Sequence, residues 1–275
     1  MDFNRQVIEE FRANDGRVGG MFEGGRLLLL TTTGARSGAR HTVPLGYLPD
    51  GPERLLVIAS AGGAPRHPAW FRNLVANPRV TIETGAFTQE ADASVLDGEE
   101  RDRLFARAVE ADAGWAEYEE KSGRTLPVVA LTPIDSGPPR GPQGQGLKRI
   151  HGEFRRELDA IRREVAASGT TIGAQLRVNC LTFCHGLEFH HGSEDRMIFP
   201  TLERNRPELA PVIDLLREEH EVLKGLLAEL RAALASDAPD PAALAADVDR
   251  LVAEVNAHLD HEEERLVPVL DEFVL

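Results

Sequence analysis

Only two of the 275 residues are cysteine, Cys180 and Cys184, so neither a disulfide framework nor a four-thiolate metal site can organise this chain. They stand four apart among the apolar positions of a predicted helix, which reads as core packing, and their spacing to His185 is not that of haem attachment. Long hydrophobic runs are missing as well. The longest near the start, Leu27–Leu30, is too short for a membrane span or the core of a signal peptide, so no membrane span and a cytoplasmic location are expected. Positive charge is in deficit, with 31 Lys and Arg against 45 Asp and Glu and a net charge of −14. Most of the imbalance lies in residues 147–275, with 15 basic against 25 acidic residues, compared with 16 against 20 in 1–146. Such a chain lacks the clustered cations that nucleic acid or an anionic membrane requires, and no nucleic-acid partner is expected.

What is present falls into two parts. The stretch from Ile134 to Gly146 is dominated by Gly and Pro and has no hydrophobic periodicity, which is linker composition. It separates a domain at 1–133 from one at 147–275. In the first, a helix at about 4–13 precedes strand-like runs at 26–32, 42–48, 54–59, 80–84 and 128–132, with helices near 68–75 and 99–109. These amount to a small barrel-like sheet with a few helices. In the second, apolar residues recur at helical spacing in four stripes: 150, 154, 158, 161, 165; 176, 180, 183, 187; 213, 216, 223, 227, 230; and 244, 248, 251, 255. That pattern specifies an antiparallel four-helix bundle, and the chain as a whole is an α+β protein of two domains.

The bundle carries one motif twice. His190-His191-Gly-Ser-Glu194-Asp195 and His258-Leu-Asp-His-Glu262-Glu263 both read HxxxE followed by an acidic residue, with Pro200 and Pro268 ten positions after each first His. An i,i+4 pair on a helix brings imidazole and carboxylate to one spot. His151 and His220 sit on the other two predicted helices, and all six residues fall within the apolar stripes. Burying them without partners would cost several kcal/mol each, whereas a shared metal ion satisfies them together. Imidazole with carboxylate and no thiolate favours iron or manganese over structural zinc. His185, His191 and His261 are read as surface or supporting residues.

On these residues the region 149–270 resembles the hemerythrin-like, or HHE cation-binding, domains. The resemblance implies two non-haem iron ions, held by His151 on the first helix, His190 and Glu194 on the second, His220 on the third, and His258 and Glu262 on the fourth, with one or both carboxylates bridging. It also implies oxygen, peroxide or nitric oxide as partners of the iron. The sequence departs on the third helix, where oxygen-carrying hemerythrins have HxxxH but the positions four to either side of His220 are Leu216 and Lys224.

In the first domain, Thr33-Gly34-Ala-Arg36-Ser37-Gly38-Ala-Arg40-His41-Thr-Val-Pro44-Leu45 places guanidiniums, a hydroxyl and a Gly turn between two predicted strands, an arrangement suited to a phosphate. Ala59-Ser60-Ala-Gly62-Gly63-Ala-Pro-Arg66-His67-Pro68-Ala-Trp70-Phe71-Arg-Asn73 follows another strand, and Trp115, Tyr118 and Arg124-Thr-Leu-Pro127 come later. Together, from about Val18 to Pro133, these resemble the deazaflavin (coenzyme F420)-dependent nitroreductase and quinone reductase family. The resemblance implies a flavin-reductase-like split β-barrel that passes hydride to a quinone or nitro-type acceptor. Arg36, Ser37 and Gly38 would hold the cofactor phosphate, with Pro44, Leu45, Ala59, Ser60, Gly62 and Gly63 along its path. Trp70 and Asn73 would form the pocket wall, and Tyr118 would face the substrate as a proton donor. Family members commonly have Arg where this chain has His41, so Arg40 and His41 together are candidates for a shifted anion contact. The alternative expectation is a di-iron protein that senses or stores oxygen, nitric oxide or iron, beside a non-catalytic split barrel or one that binds FMN or haem.

Overall fold

The computed structural model describes residues 3–85, 87–135, 143–169, 171–236 and 240–272. The chain divides into two compact units, residues 1–139 with 173–178, and 140–172 with 179–275.

In the first unit seven strands form one antiparallel sheet: β1 (Leu27–Thr33), β2 (Arg40–Gly46), β3 (Leu48–Pro49), β4 (Leu55–Ile58), β5 (Arg79–Thr84), β6 (Phe87–Val95) and β7 (Val128–Asp135), in the order β2-β1-β5-β6-β7-β4-β3. The sheet curls, because Leu30 of β1 and Val57 of β4 share one core with Ile82, Val129, Leu131, Trp70 and Leu74 although three strands separate them in the order. Strands β1, β4 and β7 are buried on both faces. Leu28 and Leu30 enter that core, while the alternate Leu27 and Leu29 pack on Val7 and Phe11 of helix α1 (Phe3–Ala13). Leu56, Ile58, Val128 and Ala130 face Leu104 and Phe105 of α3 (Gly98–Ala111). This is the half-barrel that the sequence implies.

Helix α2 (Ala69–Ala76) is shifted by one residue from the expected span of 68–75, whereas β6 and helix α4 (Gly114–Ser122) carry no clear sequence signal. The inward positions of β6 are Ala91 and Ala93, flanked and separated by the exposed Thr88, Glu90, Asp92 and Ser94. Alanine in an otherwise polar run hides the alternation that marks a strand.

The second unit is built on four long helices: α5 (Gln143–Ala167), α6 (Ala174–Ser193), α8 (Ala210–Ala235) and α9 (Pro241–Leu270). Helix α6 runs into a π-helical turn, Glu194–Ile198, and then into the short α7 (Phe199–Asn205). The predicted stripes form the interior, including Leu158, Ile161, Leu187, Leu216, Leu227, Leu251 and Val255. Cys180 and Cys184 are buried among them and not joined in a disulfide, and burial pushes the Cys184 thiol up to about 11. Asp240 caps α9 by accepting from Ala242 N–H at 2.9 Å, with Pro241 at the first helical position. Of the expected linker, residues 136–142 lie outside the described residues, and α5 already begins at Gln143. Gly144 is there for close packing, since a Cβ on it would stand 2.7 Å from the Val267 carbonyl of α9.

Candidate metal centre and anion cleft

The donors of the bundle lie near the start of α5, at the end of α6, in the first half of α8 and in the second half of α9, as an up-and-down arrangement demands of residues that meet at one level. They form two groups. His151, His190, Glu194 and Glu262 bring ligand atoms within 4.8 Å of one another, and so do His191, His220 and His258. The two carboxylates lie between the groups. Glu194 Oε1 is 3.2 Å from His190 Nε2 while its Oε2 is 3.7 Å from His220 Nε2. Glu262 Oε2 is 3.3 Å from His151 Nε2 and 3.7 Å from His258 Nε2.

Around this centre each of three imidazoles is anchored by its outer nitrogen. His151 Nδ1 pairs with Glu263 at 3.0 Å, His220 Nδ1 with Asp195 at 3.0 Å, and His258 Nδ1 with Glu219 at 2.8 Å. Fixing Nδ1 turns Nε2 inward and raises its basicity, which is how ligating histidines are oriented. Arg155 Nη1 in turn holds Glu263 at 2.6 Å. The acidic residue that follows each HxxxE motif therefore has a job of its own: Asp195 and Glu263 orient histidines on other helices. Glu219, just before His220, also accepts from His261 at 2.9 Å.

The inner atoms are left with nothing to bind. Both Glu194 oxygens, Glu262 Oε2 and the Nε2 atoms of His191, His220 and His258 are buried with no hydrogen-bond partner among the described residues. A dry core that holds two carboxylates and three imidazoles in this state is costly unless a cation sits among them. The titration behaviour expresses the same conflict. Burial, with the charges of Glu262 and Asp195, pushes Glu194 well above the usual carboxylate range. Burial pushes His190 down to about 3 and His191 further down. Glu262 is pushed up by burial but brought lower overall by the close approach of His151 and the other neighbouring imidazoles. The donor set thus fits a metal centre of hard and borderline ligands. Of the three histidines read from sequence as surface or supporting, His185 is exposed and His261 is tied to Glu219, whereas His191 is buried inside the centre.

In the first unit, the turn between β1 and β2 is closed by Gly34 N–H donating to Ala39 O at 2.7 Å and Gly38 N–H to Gly34 O at 2.9 Å. Gly38 sits at φ 68°, where a side chain would be strained, and Arg36 and Ser37 project from the turn into solvent. Asn73 of α2 clamps it, accepting from Ala35 N–H at 3.1 Å and donating to Thr32 Oγ1 at 3.1 Å. Beside the turn opens a cleft of about 1070 Å³ lined by Arg36, Ser37, Arg40, His41, Trp70 and Asn73, with Arg66, Arg72 and the α1 residues Arg5 and Arg12. Six guanidiniums stand around this cleft against the carboxylate of Glu9, with Arg12 already paired to Glu83, a balance of charge suited to an anion.

Pro44, Leu45, Ala59, Ser60, Gly62, Gly63 and Gly38 are not on the lining of that cleft. The segment from Ala59 to Ala64 is instead fixed by Arg124, whose guanidinium donates to Ala59 O at 2.9 Å, Ser60 O at 3.2 Å and Ala64 O at 3.2 Å. Arg124 Nη1 also lies 3.0 Å from His67 Nδ1, and burial together with Arg124 and Arg72 keeps that imidazole below its usual range. Lys121 of α4 donates to Gly62 O at 3.2 Å. Tyr118, one turn before Lys121, is exposed and packs edge-on to Trp115 with ring centroids 6.2 Å apart.

Comparison with known proteins follows the same division. Residues 3–133 match the F420H(2)-dependent quinone reductase family, and residues 145–270 match the hemerythrin HHE cation binding domain. Over 126 residues the chain is 37% identical to an F420H(2)-dependent quinone reductase of Mycobacterium tuberculosis, covering 44% of this chain and 84% of that protein. A solved structure described as an F420-H2 dependent reductase is 39% identical, covering 38% of this chain and 93% of its own, with a TM-score of 0.36. Another, described as a domain-swapped dimer, is 36% identical over 46% of this chain and 92% of its own, with a TM-score of 0.38. No helix among the described residues is long and apolar enough to cross a membrane.

Proposed function

Since the chain belongs, through residues 3–133, to the F420H(2)-dependent quinone reductase family, we propose that it is a deazaflavin-dependent oxidoreductase joined to a non-haem di-iron bundle. Its boundaries in this reading are 1–133 for the reductase, 134–146 for the linker and 147–275 for the bundle. The deazaflavin supplies hydride, and a quinone or nitro-type compound accepts it. Arg36, Ser37 and the backbone of Gly38 would hold the cofactor phosphate at the mouth of the arginine-lined cleft, with Arg40 and His41 as further anion contacts. Trp70 and Asn73 form the wall behind it. Pro44, Leu45, Ala59, Ser60, Gly62 and Gly63 line the path of the ring system. Tyr118, exposed beside the Gly62–Gly63 turn, faces the acceptor and donates the proton that completes reduction.

One observation carries the metal half: buried imidazoles and carboxylates from four helices converge on one place, and six of their nitrogen and oxygen atoms have no hydrogen-bond partner among the described residues. His151, His190, Glu194, His220, His258 and Glu262 would hold two iron ions, with oxygen, peroxide or nitric oxide as the small molecules that reach them.

Two measurements on the purified full chain test the proposal. Reduced F420 should be oxidised on addition of menadione without air, and Arg36→Glu should raise the cofactor Kd by about tenfold or more, as reversal of one charge-assisted contact does. Anaerobic reconstitution with ferrous ion should leave about two irons per chain, as in carboxylate di-iron bundles. No oxidation of reduced F420 by any quinone or nitro acceptor would sink the reductase assignment, and iron content near zero would sink the other.

A further inference from the structure

Helix α8 offers the centre a single imidazole, because Leu216 is fully buried in the apolar core and Lys224 is exposed and ion-paired with Glu221. The group of donors around His220 would therefore be short of one nitrogen, were it not for His191. His191 is 5% exposed, and its Nε2 is buried without a partner alongside the Nε2 atoms of His220 and His258. Its ring stacks on that of His220 at a centroid distance of 4.2 Å and 11° between planes, and meets His258 edge-on at 5.0 Å. We propose that His191 is a metal ligand, supplying from α6 the nitrogen that α8 does not, so that the two metal positions are unequal. One has His151 and His190, the other His191, His220 and His258, and Glu194 and Glu262 lie between them. The inference rests on the reading of the bundle as a metal centre and adds to it which side chains complete each position.

The backbone explains how neighbours in sequence reach the same centre. Adjacent helical residues point about 100° apart, so His190 and His191 diverge on leaving the chain and address different donor groups. Each begins an i,i+4 pair: His190 with Glu194, which spans the two groups, and His191 with Asp195, which orients His220 at 3.0 Å. The π-helical turn starts at Glu194, and such wide turns occur where a helix must aim side chains that a regular spiral would scatter. A purely structural role for His191 makes a different demand on chemistry. Stacking on His220 needs an aromatic ring and no nitrogen, whereas ligation needs the nitrogen.

His191→Phe separates the two, since it keeps the ring and removes the donor, and His191→Gln serves as a second, smaller replacement. Metal-free full-length protein is titrated anaerobically with ferrous ion and bound iron is counted. Wild type and His185→Ala, an exposed position on the same helix, should take up two equivalents alike. In His191→Phe and His191→Gln the second equivalent should bind more weakly by about tenfold or more, given that even the partners of ligands are worth 10–100-fold in metal affinity. The metal-free variants should unfold near the temperature of metal-free wild type. Two equivalents bound with undiminished affinity in either folded variant overturn the assignment of His191 while leaving the metal centre intact. A wild type that binds no iron overturns both.

Discussion

Asp50, on the short connection between β3 and β4, accepts from Arg54 Nε at 2.6 Å and from Arg107 Nη2 of α3 at 2.7 Å. Burial alone would push its carboxyl up, but the two guanidiniums outweigh this and hold it below the usual range. A carboxylate depressed in the folded state stabilises fully above its unfolded pKa of about 3.9 and loses that contribution as pH falls through the folded value. Acid unfolding of the first unit should therefore steepen below about pH 4, and Asp50→Ala should flatten that limb while costing on the order of 3 kcal/mol at neutral pH. Denaturant melts of the two proteins across pH check this. Asn73 is a second single-residue fulcrum. Asn73→Ala removes both bonds that tie the phosphate-loop candidate to α2 and should cost about 1–3 kcal/mol while weakening deazaflavin binding, measured by fluorescence titration. In the bundle, Glu263→Ala leaves His151 without its outer partner, and iron affinity should fall by about 10–100-fold with the ligand set unchanged.

At the scale of elements, the contact of α5 with α9 turns on Gly144, where any Cβ would run into the Val267 carbonyl and the Asp271 carboxylate. Gly144→Val should loosen the start of α5, seen as faster amide exchange there. Gly152, which has open space around its missing Cβ, should accept Ala and gain roughly 0.5–1 kcal/mol in helix propensity. How far the elements could be read from the sequence followed the strength of their side-chain period. Leucine-rich stripes such as 213, 216, 223, 227 and 230 announce α8, and the interior finds them buried. β1 is legible because its four leucines and following threonines suit a strand buried on both faces. β6 is not, since its core face is two alanines, and α4 is short and nearly all polar on its exposed side. The convergence of histidines on four helices was legible from their places in the stripes. The place of His191 was not, because a residue adjacent to a candidate ligand falls outside a simple i,i+4 period and only the three-dimensional meeting of α6, α8 and α9 shows which way it faces.

For the molecule as a whole, two separate cores imply two unfolding events. In calorimetry, iron should move only the transition of the bundle, by about 2.7 kcal/mol when free metal exceeds its Kd a hundredfold, and leave the reductase transition in place. The two chemistries also differ in kind. A deazaflavin gives up hydride, while a di-iron centre is usually reduced one electron at a time, so direct exchange is disfavoured and a quinone that takes hydride and releases single electrons would link them. In stopped flow, the absorbance of oxidised iron should decay slowly with reduced F420 alone and faster with added quinone, and equally rapid decay without quinone would reject the relay. The meeting of His151 on the first helix with Glu262 on the last has a mechanical side. More than a hundred residues of chain lie between them, and with neither cysteine in a disulfide no covalent cross-link spans that stretch. A covalent link around a loop of about 100 residues would be worth about 4.7 kcal/mol in chain entropy. Coordination at both ends would make a metal a detachable staple, so that chelators or a change of redox state would set how long the bundle survives a protease, with no residue altered.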